Sequence, residues 1–332
     1  MIETRVITPE EADQRLDRWF RKSYPQVTHG RLEKLLRTGQ VRVDGKRAKG
    51  NLRLTAGQEI RIPPLGESAG APVRSPTRAR PSDQEAEALR ARVLYRDDWV
   101  IAIDKPAGLA VQGGSNTPHH LDGLLDALIF DGKERPRLVH RLDRDTAGVL
   151  LLARTTEAAR RLGAAFKSDA PCKIYWALVA GLPEKPRGML NLPLGKLPGP
   201  KGEKMSSEAP DAKPATTRWS TVAKRGQSAA WLALRPLTGR THQLRAHCEA
   251  MGHPILGDGK YGRRKAFLTQ PELPKQLFLF AREIVLPHPE DGMTLRVQAP
   301  LPPHFQTAFA ALGFDPDDTA AERAADWLTE KQ

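Results

Sequence analysis

Cysteine is nearly missing: the 332 residues contain two, Cys172 and Cys248, far apart and in no paired spacing. That excludes a disulfide framework and fits a reducing compartment, so a cytoplasmic protein is expected. No run approaches the ~20 apolar residues of a membrane span. The opening stretch MIETRVITPEEADQRL lacks the apolar core of a secretory signal. No glycine-rich phosphate loop of the Walker or dinucleotide type occurs, so a nucleotide cofactor is not indicated. Acidic residues are the minority, 39 against 52 Lys and Arg, for a formal net charge of +13. The first partner to consider is therefore a polyanion, either nucleic acid or an acidic membrane surface.

The length allows one large domain and a small one. Residues 1–64 read as a compact module. Leu16, Trp19 and Phe20 fall at i, i+3, i+4 on a first helix. A second helix follows in THGRLEKLLRTGQ, with Thr28 as N-cap and Gly39 as stop. VRVDGKRA then turns at Asp44-Gly45, and EIRIPP adds a strand. The module carries 14 basic and 8 acidic residues. Residues 65–90, rich in Pro, Ala, Ser and Gly, read as a flexible linker.

A catalytic-sized domain is expected over 91–302. Strands are placed near 93–95, 99–104 and 109–112, then in AGVLLLA, CKIYWALVAG, ATTRWSTVAKR, SAAWLALRPL, QLFLFAREIVL and MTLRVQAP. Helices are placed in HHLDGLLDALIF, TEAARRLGAAFK and RTHQLRAHCEAMG. Strands without regular helical crossovers predict an α+β domain with a mixed, largely antiparallel sheet. Residues 303–332 carry six acidic and two basic residues and read as a helical tail at the periphery.

Two clusters carry chemistry. In VHRLDRDTAGVLLLA, Arg141, Asp143, Arg144 and Asp145 crowd against an apolar strand. Asp143 and Asp145 share a face if extended, which allows a two-carboxylate hydrolase. The flanking arginines hold both ionised, which suits a nucleophile or base better than a general acid. The plain alternative is a surface turn with local ion pairs. The second cluster is LTGRTHQLRAHCEAMGHPILGDGKYG. Its Thr238-Gly239 turn delivers Arg240 to the start of a helix, with Leu244 on the same face. His242, His247, Cys248 and His253 match no standard zinc spacing, so no metal is expected.

VHRLDRDTAGVLLLA, CKIYWALVAG and the second cluster together resemble the three signature regions of RNA pseudouridine synthases. DDWVIAIDKPAGLAVQGGS resembles the opening strand and turn of the same domain, and RLDRWFRK…THGRLEKLLRTGQVRVDGK resembles an S4 RNA-binding module. Gly113–Ser115 and the Arg-Asp pair after Asp143 look most like the synthase C branch, whose members act on large-subunit ribosomal RNA. The sequence departs from the family's usual residues at Asp104 (commonly Asn), Ala147 (commonly Ser) and Leu279-Phe280-Ala281 (commonly Leu-His-Ala).

The resemblance implies isomerisation of uridine to pseudouridine in ribosomal RNA, without cofactor or metal, by a monomer. It makes Asp143 the reacting carboxylate, Arg240 its ion-pair partner and Tyr175 the stacking platform for the flipped base. Leu244 would close the apolar side of the pocket, Arg141 would fill the gap left in the RNA, and Lys173 would contact the substrate. Arg31, Lys34, Arg37 and Arg42 would meet phosphates from the S4-like module. A catalytically silent RNA-binding or ribosome-assembly factor on the same scaffold is the alternative.

Overall fold

A computed structural model of the chain describes residues 2–65, 81–114, 117–168, 170–198 and 203–330. The chain divides into two compact units, Met1–Ala79 and Arg80–Gln332, each with its own core.

The first unit runs β1 (Glu3–Val6), α1 (Leu16–Ser23), α2 (His29–Arg37), β2 (Arg42–Val43), β3 (Lys46–Arg47) and β4 (Glu59–Ile62). The Thr28 hydroxyl accepts the Arg31 amide at 3.3 Å and starts α2. Asp44 and Gly45 both take positive φ, the primed turn that matches strand twist. Leu16, Trp19, Phe20, Leu32, Leu36 and Ile60 are buried. The sheet order is β1-β4-β2-β3. Strand β1 is absent from the sequence reading because its short, mostly exposed segment carries no clear alternation.

The second unit opens with α3 (Asp83–Arg90), β5 (Val93–Arg96), β6 (Val100–Lys105), α4 (Leu121–Leu124), β7 (Arg137–Leu138), β8 (Ala147–Ala153) and α5 (Thr156–Ala165). It continues with β9 (Cys172–Ala180), β10 (Arg187–Asn191), β11 (Gly195–Leu197), β12 (Lys204–Ser206), β13 (Thr216–Arg225), β14 (Ala229–Pro236) and α6 (Gln243–Ala250). It ends with β15 (Leu279–Pro287), β16 (Thr294–Gln298), α7 (Pro303–Leu312) and α8 (Ala320–Thr329). The main sheet runs β10-β13-β14-β9-β15-β8-β6-β5, with β16 on β15 and β7 on β8. Among the described residues only the short β15–β8 pairing is parallel, so the expected α+β class with a largely antiparallel mixed sheet is what forms. At that pairing the backbones close up around Gly148, where a Cβ would lie 2.2 Å from the Ala281 carbonyl oxygen at φ +110°.

Four expectations are corrected. The 65–90 linker ends in α3, because Ser82 and Glu85 form a capping box and Ala86 and Leu89 bury against the sheet; residues 66–80 lie outside the described residues, as does Ser115. No strand forms over 109–112, where Val111 is buried from a loop. The C-terminal tail is not peripheral: Phe305, Phe309, Leu312 and Leu328 belong to the main core, since α7 is apolar enough to pack under Trp176 and Trp231. Finally, α6 begins at Gln243 rather than Arg240, because His242 takes a left-handed backbone (φ +49°) that ends any earlier helix. Among the described residues, no helix is long and apolar enough to cross a membrane.

Candidate active site

Buried β8 cannot carry charge, so the charged residues ahead of it gather in the turn that leads from β7. The Thr146 amide donates to the Asp143 carbonyl at 3.2 Å and closes this turn. The Arg144 carbonyl accepts from the Gly108 amide at 2.9 Å and from Lys105 Nζ at 3.0 Å. The Arg144 guanidinium returns a bond from Nε to the Gly108 carbonyl at 3.0 Å. Lys105, fully buried, also donates to the carbonyls of Pro106 and Leu109 at 2.8 and 2.9 Å. Burial pushes its ammonium down to about 8, against the pull of Asp145, Asp143 and Asp104.

On the other flank of the turn, His140 Nε2 accepts the Leu151 amide at 2.8 Å, which places its proton on Nδ1. Its ring stacks on Phe166 with centroids 4.5 Å apart. Burial, with a smaller push from Lys173, takes the imidazole down to about 3, so it is neutral. The turn is thus held through its backbone and its neighbours. The Asp143 side chain makes no ion pair within 4.0 Å to any described residue.

Facing this turn is the loop 238–243. Gln243, buried at the start of α6, organises it: Oε1 accepts from the Thr238 hydroxyl at 2.7 Å and the Arg240 amide at 3.0 Å. Its Nε2 donates to the Thr216 carbonyl at 2.9 Å and the Thr217 hydroxyl at 3.0 Å. Behind it, Arg245 makes a buried two-point bond to Asp258 at 2.7 and 2.8 Å. The Asp258 carboxylate also accepts the amides of Lys260 and Tyr261, both at 3.1 Å.

Between turn and loop lies a cleft of about 490 Å³. All six residues singled out for the reaction line it: Asp143, Arg240, Tyr175, Arg141, Leu244 and Lys173. Tyr175 stands on β9 in the centre of the sheet; burial first, and then the Asp143 carboxylate, push its phenol up, so it stays protonated. Leu244 is buried and gives the cleft an apolar side, while Arg141 is exposed at its edge. Burial and the nearby Arg235 lower the Lys173 ammonium.

The expected Arg240–Asp143 ion pair is not made. Arg240 Nε donates instead to the Pro214 carbonyl at 3.1 Å, because its backbone is held by Gln243 before the helix rather than projecting from its first turn. Arg144 ties the turn to Gly108 and makes no ion pair with Asp145 among the described residues. Sequence reasoning missed Lys105, His140 and Gln243. Each was visible as a polar residue inside an apolar stretch or motif, but Lys105 bonds only carbonyls, His140 accepts a backbone amide, and half of the Gln243 bonds are to backbone, none of which a side-chain pattern announces.

The histidines near α6 have partners of their own. His242 Nδ1 meets the Tyr261 hydroxyl at 3.0 Å, His253 Nδ1 meets the Ala180 carbonyl at 3.1 Å, and His247 bridges Thr217 and the Leu192 carbonyl. Among the described residues, no three His, Cys, Asp or Glu side chains converge. In the first unit, Lys34 and Arg37 are exposed on α2. Arg42 donates to the carbonyls of Gly39 and Gly45 at 3.1 and 3.0 Å, and Arg31 to that of Leu65.

Residues 99–250 match the family model described as RNA pseudouridylate synthase. The chain is 37% identical over 299 residues to the ribosomal large subunit pseudouridine synthase C of Escherichia coli K12, covering 89% of this chain and 92% of that one. It is 34% identical over 306 residues to an uncharacterized RNA pseudouridine synthase of Synechocystis, covering 88% and 87%. Human RNA pseudouridylate synthase domain containing 4 superposes with a TM-score of 0.57 at 26% identity, over 69% of this chain and 96% of that one.

Proposed function

This chain belongs to the RNA pseudouridylate synthase family, and on that footing we propose that it isomerises uridines of large-subunit ribosomal RNA with Asp143 as the reacting carboxylate. The relatives named for the large ribosomal subunit support the substrate. The observation that carries the site is the meeting of Asp143, Tyr175 and Arg240, from three distant segments, in one cleft where the carboxylate has no ion-pair partner among the described residues.

The reaction breaks N1–C1′, turns the uracil over and joins C5 to C1′; the C5 proton is lost and N1 takes one up, so the atoms balance. It is an isomerisation with no net oxidation or hydrolysis, so a single carboxylate can serve, by adding to C1′ or by taking a sugar proton. The target nucleotide must leave its stack, at a cost of a few kcal/mol. Tyr175 offers a ring that offsets about 1–3 kcal/mol by stacking, and Leu244 supplies the opposing apolar surface. Arg141, at the cleft edge, reaches the gap in the RNA. Arg240, whose terminal guanidinium nitrogens have no described partner, closes on Asp143 or a phosphate when RNA enters. Residues 1–64 act as an S4-like module that adds phosphate contacts through Lys34 and Arg37, with Arg31 and Arg42 shaping the same surface.

The purified protein is incubated with transcribed large-subunit ribosomal RNA, and pseudouridines are mapped by carbodiimide modification and primer extension. New pseudouridines at discrete uridines are expected. Tight binding with no new pseudouridine would favour the silent assembly factor instead.

A further inference from the structure

Beside the catalytic cleft runs a second, larger groove of about 1040 Å³, and the two share the rim formed by Lys167, Lys173, Pro236 and Arg240. Its floor is Arg218 on β13 and Arg235 on β14, and its far wall is the end of α8 at Thr329 and Glu330. Resting on the function proposed above, we infer that this groove holds the phosphate backbone of the RNA strand next to the flipped uridine.

Charge carries the argument. Five cations line the groove, Lys167, Lys173, Arg218, Arg235 and Arg240, against one carboxylate, Glu330. None of the five has a carboxylate within 4.0 Å among the described residues. Arg218 is only 4% exposed, yet among the described residues its guanidinium donates only to the carbonyls of Glu330 and Trp327, both at 2.7 Å, and its buried Nε has no hydrogen-bond partner. Arg235 donates to the Leu328 carbonyl at 2.7 Å.

These carbonyls form the C-terminal end of α8, which supplies about half a negative charge. That half charge, the Trp327 ring 4.5 Å from the Arg218 guanidinium and the Glu330 carboxylate offset only part of the two guanidinium charges. Burial first, and then repulsion from Arg235, lower the pKa of both Arg218 and Lys173. A fold that needed these side chains only for packing would gain by losing the charges. A polyanion arriving along the groove relieves the repulsion, and the shared rim leads it straight to Asp143 and Tyr175. The opening at the cleft takes a base, and the groove takes the chain that carries it.

Lys167 is exposed and makes no described side-chain contact, so Lys167→Gln leaves the fold intact. Binding of transcribed large-subunit ribosomal RNA is measured against salt for wild type, Lys167→Gln and Lys167→Gln/Arg235→Gln. Each lost phosphate contact should lower the slope of log affinity against log salt by about 0.7–0.9. Roughly fivefold weaker binding is expected for the single variant at low salt, and a further loss for the double. Unchanged affinity and slope in Lys167→Gln, with wild-type turnover of the same RNA, would overturn the groove and leave the proposed function standing. No turnover by wild type would overturn the function itself. If the double variant melts early, Lys167→Gln alone decides.

Discussion

Two stretches of chain face each other across one cleft and are held by opposite means. The turn carrying Asp143 is fixed by charged groups, the buried Lys105 ammonium and the Arg144 guanidinium, each spent on backbone carbonyls. The loop carrying Arg240 is fixed by one neutral amide, Gln243, through four hydrogen bonds. The difference follows from what each presents. A carboxylate in a half-buried turn gains from cations nearby, so its scaffold can supply both geometry and field. An arginine gains nothing from cations behind it, and its scaffold is neutral. In neither case does the scaffold bond the functional head group of its residue, which leaves Asp143 and most of the Arg240 guanidinium for RNA.

Breaking the charged scaffold should have the larger effect. Lys105→Met orphans the Pro106 and Leu109 carbonyls, at about 1–3 kcal/mol each, less whatever is regained by no longer burying a charge. A stability loss of about 2–4 kcal/mol in urea titration and at least tenfold lower turnover are expected; wild-type values for both would show that the ammonium is idle. The same residue sets a pH signature. With a folded pKa of about 8 below the unfolded 10.5, the unfolded chain holds more protons between those values. Lys105's contribution to stability therefore rises as pH climbs through that window. Turnover should fall over the same window, because the neutral amine can serve only two carbonyls and no longer faces Asp143 with charge. Stability and activity moving together there would contradict this role.

The neutral scaffold should fail more gently. Gln243→Ala removes one amide's bonds and frees the 238–240 backbone, for a loss of about 1–3 kcal/mol and a several-fold drop in turnover. An effect as large as that of Lys105→Met would erase the contrast between the two walls.

The α+β class, most strands of the main sheet and the two-helix module were legible because each rests on periodicity or capping; β7 and β10, short and largely exposed, were not. Thr28, Asp44-Gly45 and the apolar run in SAAWLALRPL are local signals, and local signals survive into the structure. The six residues brought to the cleft were legible through motif resemblance, not through spacing. The missing Arg240–Asp143 bond was not, since it depends on where α6 begins, and that is set by the left-handed His242 and the Gln243 side chain. The tail was misplaced for a related reason. Its acidic residues spoke for solvent, while Phe305 and Phe309, four apart, were the residues that decided its burial. Lys105 and the Arg218–Arg235 floor were hidden because their partners are carbonyls, which leave no trace in a side-chain sequence.

The central claim is that Asp143 does the chemistry and the rest of the cleft positions RNA against it. Asp143→Asn keeps the shape of the turn, whose bonds are to the backbone, and removes only the charge. Pseudouridine formation on transcribed large-subunit ribosomal RNA should fall by at least about a thousandfold, near 4 kcal/mol of transition-state stabilisation, with RNA affinity within about threefold of wild type. Substantial turnover by Asp143→Asn would contradict the account.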